Sequence, residues 1–235
     1  MELDPATAAY QKHGYNELPV EASLGPHRFR IPANYFRDQI GPDFQGGWEL
    51  MVQWPDLEPL PPGKRSGQAM ETFDKQITIS PNYVDRVLIE TLLNTYASPN
   101  ASPGELEYDD PRNRLDLLVA QPEQDGLTPY VVNSELLVDY ARRFQARMGV
   151  PMSTSRRSYK DWFIRRDAGG ALQTLIRCDQ LPEPGEETSP VCNHDIAIPE
   201  LQIAVGMSYR RAYLPEWQRI ETKARKLLDQ FRVDR

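Results

Sequence analysis

The sequence predicts an α+β fold: an antiparallel β-sheet covered by a C-terminal amphipathic helix, with one or two further helices. Three stretches carry that expectation. "LQIAVGMSY" places Ile203, Val205, Met207 and Tyr209 on one face of an extended chain, the period-two pattern of a half-buried strand. "PEWQRIETKARKLLDQF" lines up Trp217, Ile220, Ala224, Leu227, Leu228 and Phe231 at helical spacing, a stripe that buries itself against such a face. "KDWFIRRD" and "ALQTLIRCD", joined by a turn at Ala168–Gly170, read as a hairpin.

Taken in chain order, residues 1–25 lack apolar periodicity and read as an extended N-terminal arm. "HRFRIPANYF" and "WELMVQW" follow as short strands around the Gly/Pro-rich "GPDFQGG", and "PDLEPLPPGKRSGQ" as an exposed loop. "KQITIS" is a strand. Ser80 and Pro81 then offer a capping hydroxyl and a first-turn proline, and Val84, Leu88, Leu92 and Tyr96 recur at helical spacing, so a helix is expected from this point. "ASPNASPGELEYDDPRNR" is a polar loop and "RLDLLVAQ" a strand. "SELLVDYARRFQARMG" is a helix capped by Ser134, with Leu137, Tyr140, Ala141, Phe144 and Met148 on its apolar stripe and Gly149 at its end. Residues 26–235 are expected to form one domain, or two sub-lobes over 26–150 and 151–235.

The charge excludes some functions. Lys and Arg number 27 against 34 Asp and Glu, a net −7, whereas a nucleic-acid binder needs a dense positive face. The paired arginines at 142/143, 156/157, 165/166 and 210/211 read as solvated faces. No run approaches the roughly 20 apolar residues of a spanning helix. The polar opening "MELDPA" reads as the start of a mature chain from which a targeting or membrane-anchoring segment has been removed.

Both cysteines and one of the three histidines fall in "RCDQLPEPGEETSPVCNHDIAIP". A disulfide, a metal site and a Cys–His nucleophile compete for it. The flanking segments read as neighbouring strands that bring Cys178 and Cys192 together, which favours the disulfide and an oxidising compartment such as the bacterial periplasm. A structural zinc site wants paired cysteines at short spacing, and only carboxylates accompany Cys178, Cys192 and His194. Cys192 and His194 share a face of an extended chain but lack any supporting catalytic signature.

No Gly-x-Ser-x-Gly, His-Glu-x-x-His, Gly-x-x-x-x-Gly-Lys or Gly-x-Gly-x-x-Gly occurs, and His13, His27 and His194 are scattered. The acidic run of Glu105, Glu107, Asp109 and Asp110 lacks the ligand spacing of a calcium loop. No catalytic residue, cofactor or metal is therefore assigned. An enzyme built from dispersed carboxylates stays open, because their separation is set by the fold.

The C-terminal third resembles a group of small proteobacterial envelope proteins. The resemblance lies in Cys192-x-His194 and in a strand ending at tyrosine that runs through Leu214-x-x-Trp217 into the last helix. "IPANYF" and "VQWPDLEPL" are similar to the front of the same group, so the likeness spans residues 27–57 and 160–233. Some members resemble immunity proteins of type VI secretion lipase effectors. The resemblance implies a non-catalytic periplasmic protein that binds a cognate toxic phospholipase and blocks it by occlusion. The alternatives are an envelope enzyme and a structural accessory domain. For an inhibitor, the acidic runs Glu105, Glu107, Asp109, Asp110 and Glu183, Glu186, Glu187 are the expected charged rim, with Trp48 and Trp54 as further interface candidates.

Overall fold

The computed structural model describes residues 16–65, 69–182 and 189–233. In chain order the strands are β1 (Pro19–Leu24), β2 (His27–Pro32), β3 (Leu50–Gln53), β4 (Gln76–Tyr83), β5 (Leu118–Ala120), β6 (Thr128–Val132), β7 (Asp161–Arg166), β8 (Leu172–Cys178), β9 (Val191–Ile198) and β10 (Ile203–Arg210). The helices are α1 (Met70–Asp74), α2 (Leu92–Tyr96), α3 (Ser134–Met148) and α4 (Trp217–Phe231). None is long and apolar enough, among the described residues, to cross a membrane.

The chain divides into two compact units. The described residues of Met1–Val84 and Glu200–Arg235 form one, and Asp85–Pro199 the other. This departs from sub-lobes at 26–150 and 151–235, because β10 returns to pair with β4, which precedes it by more than a hundred residues. Hydrophobic periodicity does not announce so distant a pairing.

In the first unit, β4 lies between β3 and β10 in an antiparallel sheet. Register sets Leu50 against Ile79 and Val52 against Ile77, and on the other side Met207 against Ile79 and Val205 against Pro81. All the apolar members thus share one face, and a slip of one residue would turn the whole set to water. α4 buries every residue of its expected stripe, Trp217, Ile220, Ala224, Leu227, Leu228 and Phe231. Each large side chain contributes about 1.5–3 kcal/mol relative to exposure. Glu221 is buried on the same helix and pairs with Arg225 at 3.0 Å. Burial, and then Glu221, pushes up the phenol of Tyr209 on β10.

Of the extended arm expected over residues 1–25, residues 1–15 lie outside the described residues, and Pro19–Leu24 is a paired strand. It forms a hairpin with β2, turning at Gly25 and Pro26. Gly25 has φ +58°, and a Cβ there would lie 2.3 Å from the Tyr83 ring, so only glycine fits. Nor does a helix begin at Ser80. β4 runs through Ser80 and Pro81 because the alternation of Ile77, Ile79 and Pro81 continues the buried face. Val84 N–H donates to Gln202 O on the β10 side, so by parity the nitrogen of Pro81 faces the opposite edge. β3 pairs only as far as Ile79, and the proline therefore removes no ladder bond. Helical turns appear only at Ile89–Tyr96, and Leu88 is exposed.

In the second unit, β9, β8, β7, β6 and β5 are paired antiparallel in that order. Leu93 and Ala97 of the α2 region, with Trp162, Ile164, Leu172 and Leu175, make a core on one face of this sheet. The expected β7–β8 hairpin is present. "RLDLL" is a 3-10 turn at Leu115–Leu117, leaving only three residues for β5. α3 is capped by the Asn133 side chain, which accepts from the N–H groups of Glu135 and Leu136, and ends at Gly149 with φ +74°. Of its predicted stripe only Leu137 and Tyr140 are buried; Met148 is exposed.

Candidate functional site

The two cysteines are consumed in a Cys178–Cys192 disulfide. They sit opposite each other in the β8–β9 register, fully buried, with His194 against Ile176 on the same face. The metal and nucleophile readings of this stretch fall with that bond, since neither sulfur remains a thiolate. His27 is also occupied: its Nε2 lies 2.8 Å from Leu201 O, and its ring meets Tyr83 edge-on. His13, Glu183, Glu186 and Glu187 lie outside the described residues. Among the described residues no group of three or more His, Cys, Asp or Glu is placed to hold a metal.

The acidic run at 105–110 is not uniform. Glu105 and Glu107 are exposed, although Glu105 caps its own turn by accepting from Ser102 N–H. Asp109 is half-buried and binds Arg143 of α3 at 2.8 Å. Asp110 is only 4% exposed and accepts from the Arg112 side chain through both carboxylate oxygens, as well as from Arg112 N–H and Asn113 Nδ2. It holds the loop together and is no part of a solvated rim. Asp110→Ala is expected to cost about 2–3 kcal/mol, because it leaves a largely buried guanidinium without its partner. Urea denaturation checks this, with Glu105→Ala as a near-neutral comparison.

The two tryptophans separate similarly. Trp48 is 6% exposed and packs edge-on against Phe29 and Phe36, its Nε1–H donating to Ser23 O. It belongs to the core of the first unit, where an alternating strand reading gave no sign of the aromatic cluster around it. Trp54 is half-buried at the surface of that unit. The tight turn after β3, closed by Gln53 N–H to Glu58 O and Leu57 N–H to Gln53 O, presents its indole beside α4. Tyr213 stacks on it at 4.8 Å, and the Arg219 guanidinium lies 5.0 Å from the ring centre while donating to Pro55 O. Tyr213 Oη donates to Asp74 O, and Arg210 pairs with Asp74 at 2.7 Å. Glu58 accepts from Lys223 at 2.7 Å and from Tyr35 at 2.8 Å. The Lys223 hydrogen bond is the main reason its carboxyl lies below the ordinary range.

Tryptophan, tyrosine and arginine locked together at a surface are the residue types that dominate protein interfaces. Tyr213 and Arg219 were missed in the sequence because they enter through a turn and the polar face of a helix. Only their nearness to Trp54 in the fold makes them candidates. The motif residues Tyr209 and Trp217 are each 2% exposed, so they build the framework and cannot contact a partner themselves.

No protein-family model matches the sequence, and no curated protein sequence matches it significantly. Among solved structures, the fold matches that of Smlt3025, described as an immunity protein of the Stenotrophomonas maltophilia type IV secretion system. The match has a TM-score of 0.82 and 37% sequence identity, covering 94% of this chain and 95% of that one. At that identity, over nearly the whole of both chains, this protein belongs to the same family as the immunity protein Smlt3025.

Proposed function

We propose that the protein binds and neutralises a cognate effector by occlusion, without catalysis, in the periplasm. The likeness to Smlt3025 over nearly its full length carries this reading. The buried disulfide supports an oxidising compartment. Smlt3025 serves a type IV secretion system, which favours a type IV over a type VI route of effector delivery. The proposed effector class is a phospholipase, which rests on the sequence resemblance at Cys192-x-His194 and Leu214-x-x-Trp217. Trp54, Tyr213 and Arg219 are proposed as contact residues, with Glu105 and Glu107 as a charged rim.

Co-expression with candidate toxins from the same genome should identify one whose periplasmic poisoning this protein relieves, and the purified pair should form a stable complex. Failure of the protein to protect or to bind would end the immunity reading. Trp54→Ala should weaken the complex at least tenfold while leaving the fold intact. Charge reversal belongs at Glu105 and Glu107 alone, where it should slow association at low salt.

A further inference from the structure

The two tryptophans singled out by sequence are tied into the protein itself, whereas Phe44 in "GPDFQGG" packs on none of the described residues: its relative exposure is 107%, that of a ring wholly in water. The chain around it is nevertheless ordered by its own hydrogen bonds. Asp43 N–H donates to Gly47 O at 2.8 Å, and Gly46 N–H donates back to Asp43 O at 3.0 Å. The Asp43 carboxylate accepts from the N–H groups of Gln45 and Gly47 at 2.8 and 2.9 Å. Gly46 has φ +83°, which a glycine adopts without strain. At the base of the loop, Asp38 accepts from Ile40 and Gly41 N–H. The phenyl ring is therefore held out at the tip of a closed loop, so the backbone that carries it has little freedom left to lose on binding, and only the ring's own rotamers remain to be fixed.

Beside the loop runs an open groove of about 580 Å³, with Leu24, Arg37, Asp38, Glu49 and Asn82 among its lining residues. Arg37 is neutralised by Glu49 at 2.7 Å, and Glu49 also accepts from Ser80. Arg65, which interacts with Asp38, offsets one of the two remaining carboxylates, and the other leaves the surroundings of the ring net negative.

Resting on the immunity reading, we infer that the loop 41–47 is the anchor of the effector interface, with Phe44 entering an apolar pocket on the effector that is rimmed by basic side chains. An aromatic ring buries about 150–250 Å² when enclosed, enough to make it a dominant contact. The remaining negative charge matches the basic rim, and the groove receives the effector surface next to the pocket.

The test is equilibrium binding to the purified effector that the co-expression experiment identifies. Phe44→Ala should raise Kd about 30-fold or more, and Phe44→Asp further, with unchanged melting temperature because the ring packs on none of the described residues. Asp43→Ala, which loosens the loop and keeps the ring, should raise Kd several-fold. Val138→Ala, at an exposed apolar side chain on α3, should bind like the parent. If the parent binds and the Phe44 variants match it, the anchor is elsewhere and the immunity reading survives. If the parent does not bind, both fall. If sedimentation shows that Phe44 instead joins two copies of this chain, and Phe44→Asp separates them with effector affinity intact, the inference is likewise overturned.

Discussion

Replacing Trp217 by alanine is expected to destabilise the protein by about 3–5 kcal/mol, the range for removing a large aromatic from a packed core. Trp217 opens α4 at 2% exposure, and the residues that follow it on the same face are all buried. A cavity at the first turn therefore loosens the helix where it meets the sheet. For a chain of this size the loss corresponds to a fall in melting temperature of about 6–20 °C. It would consume roughly 30–50% of a typical stability near 10 kcal/mol. Differential scanning calorimetry reads it directly. A variant melting within 2 °C or so of the parent would mean that α4 does not depend on this contact.

Removing the disulfide should have the second large effect. Cys178 and Cys192 are separated by 14 positions, and a covalent link across a loop of that length restricts the unfolded chain by about 3 kcal/mol. The double variant Cys178→Ala, Cys192→Ala should therefore melt about 6–12 °C lower. Both residues are fully buried, so reductant added to the native protein should act slowly, and quickly once denaturant exposes the bond. Equal stability of parent and double variant would show that the link contributes nothing beyond the packing of two small side chains. The expected loss also bears on function, because a neutralising protein has to stay folded in the compartment where its effector acts.

Much of this molecule was legible as a line of residues. The stripe of α4, the alternation of β10, the β7–β8 hairpin, the glycine stop of α3 and the cysteine pairing are local: each is read within one element or between two that are adjacent in sequence. Their periods, 3.6 and 2, are imposed by backbone geometry that the sequence carries with it. Gly25-Pro26 was a turn signal of the same local kind, and it marks the hairpin that an arm over residues 1–25 leaves out.

What the sequence could not decide depended on distant partners. Ser80-Pro81 has the composition of a helix start, but pairing with β10 and the open edge beyond β3 make it strand. Glu105, Glu107, Asp109 and Asp110 are one acidic run in sequence, yet Arg143 and Arg112 draw the last two inward. Trp48 and Trp54 look alike as candidates until Phe29 and Phe36 enclose the first while Tyr213 and Arg219 clasp the second at the surface. By itself the sequence determined the alternation of β10, the coil of α4 and where the covalent link lies, because those are properties of neighbouring residues. Only the tertiary structure decided which charged and aromatic side chains remain free for a partner, because exposure is what is left after all long-range contacts have been made.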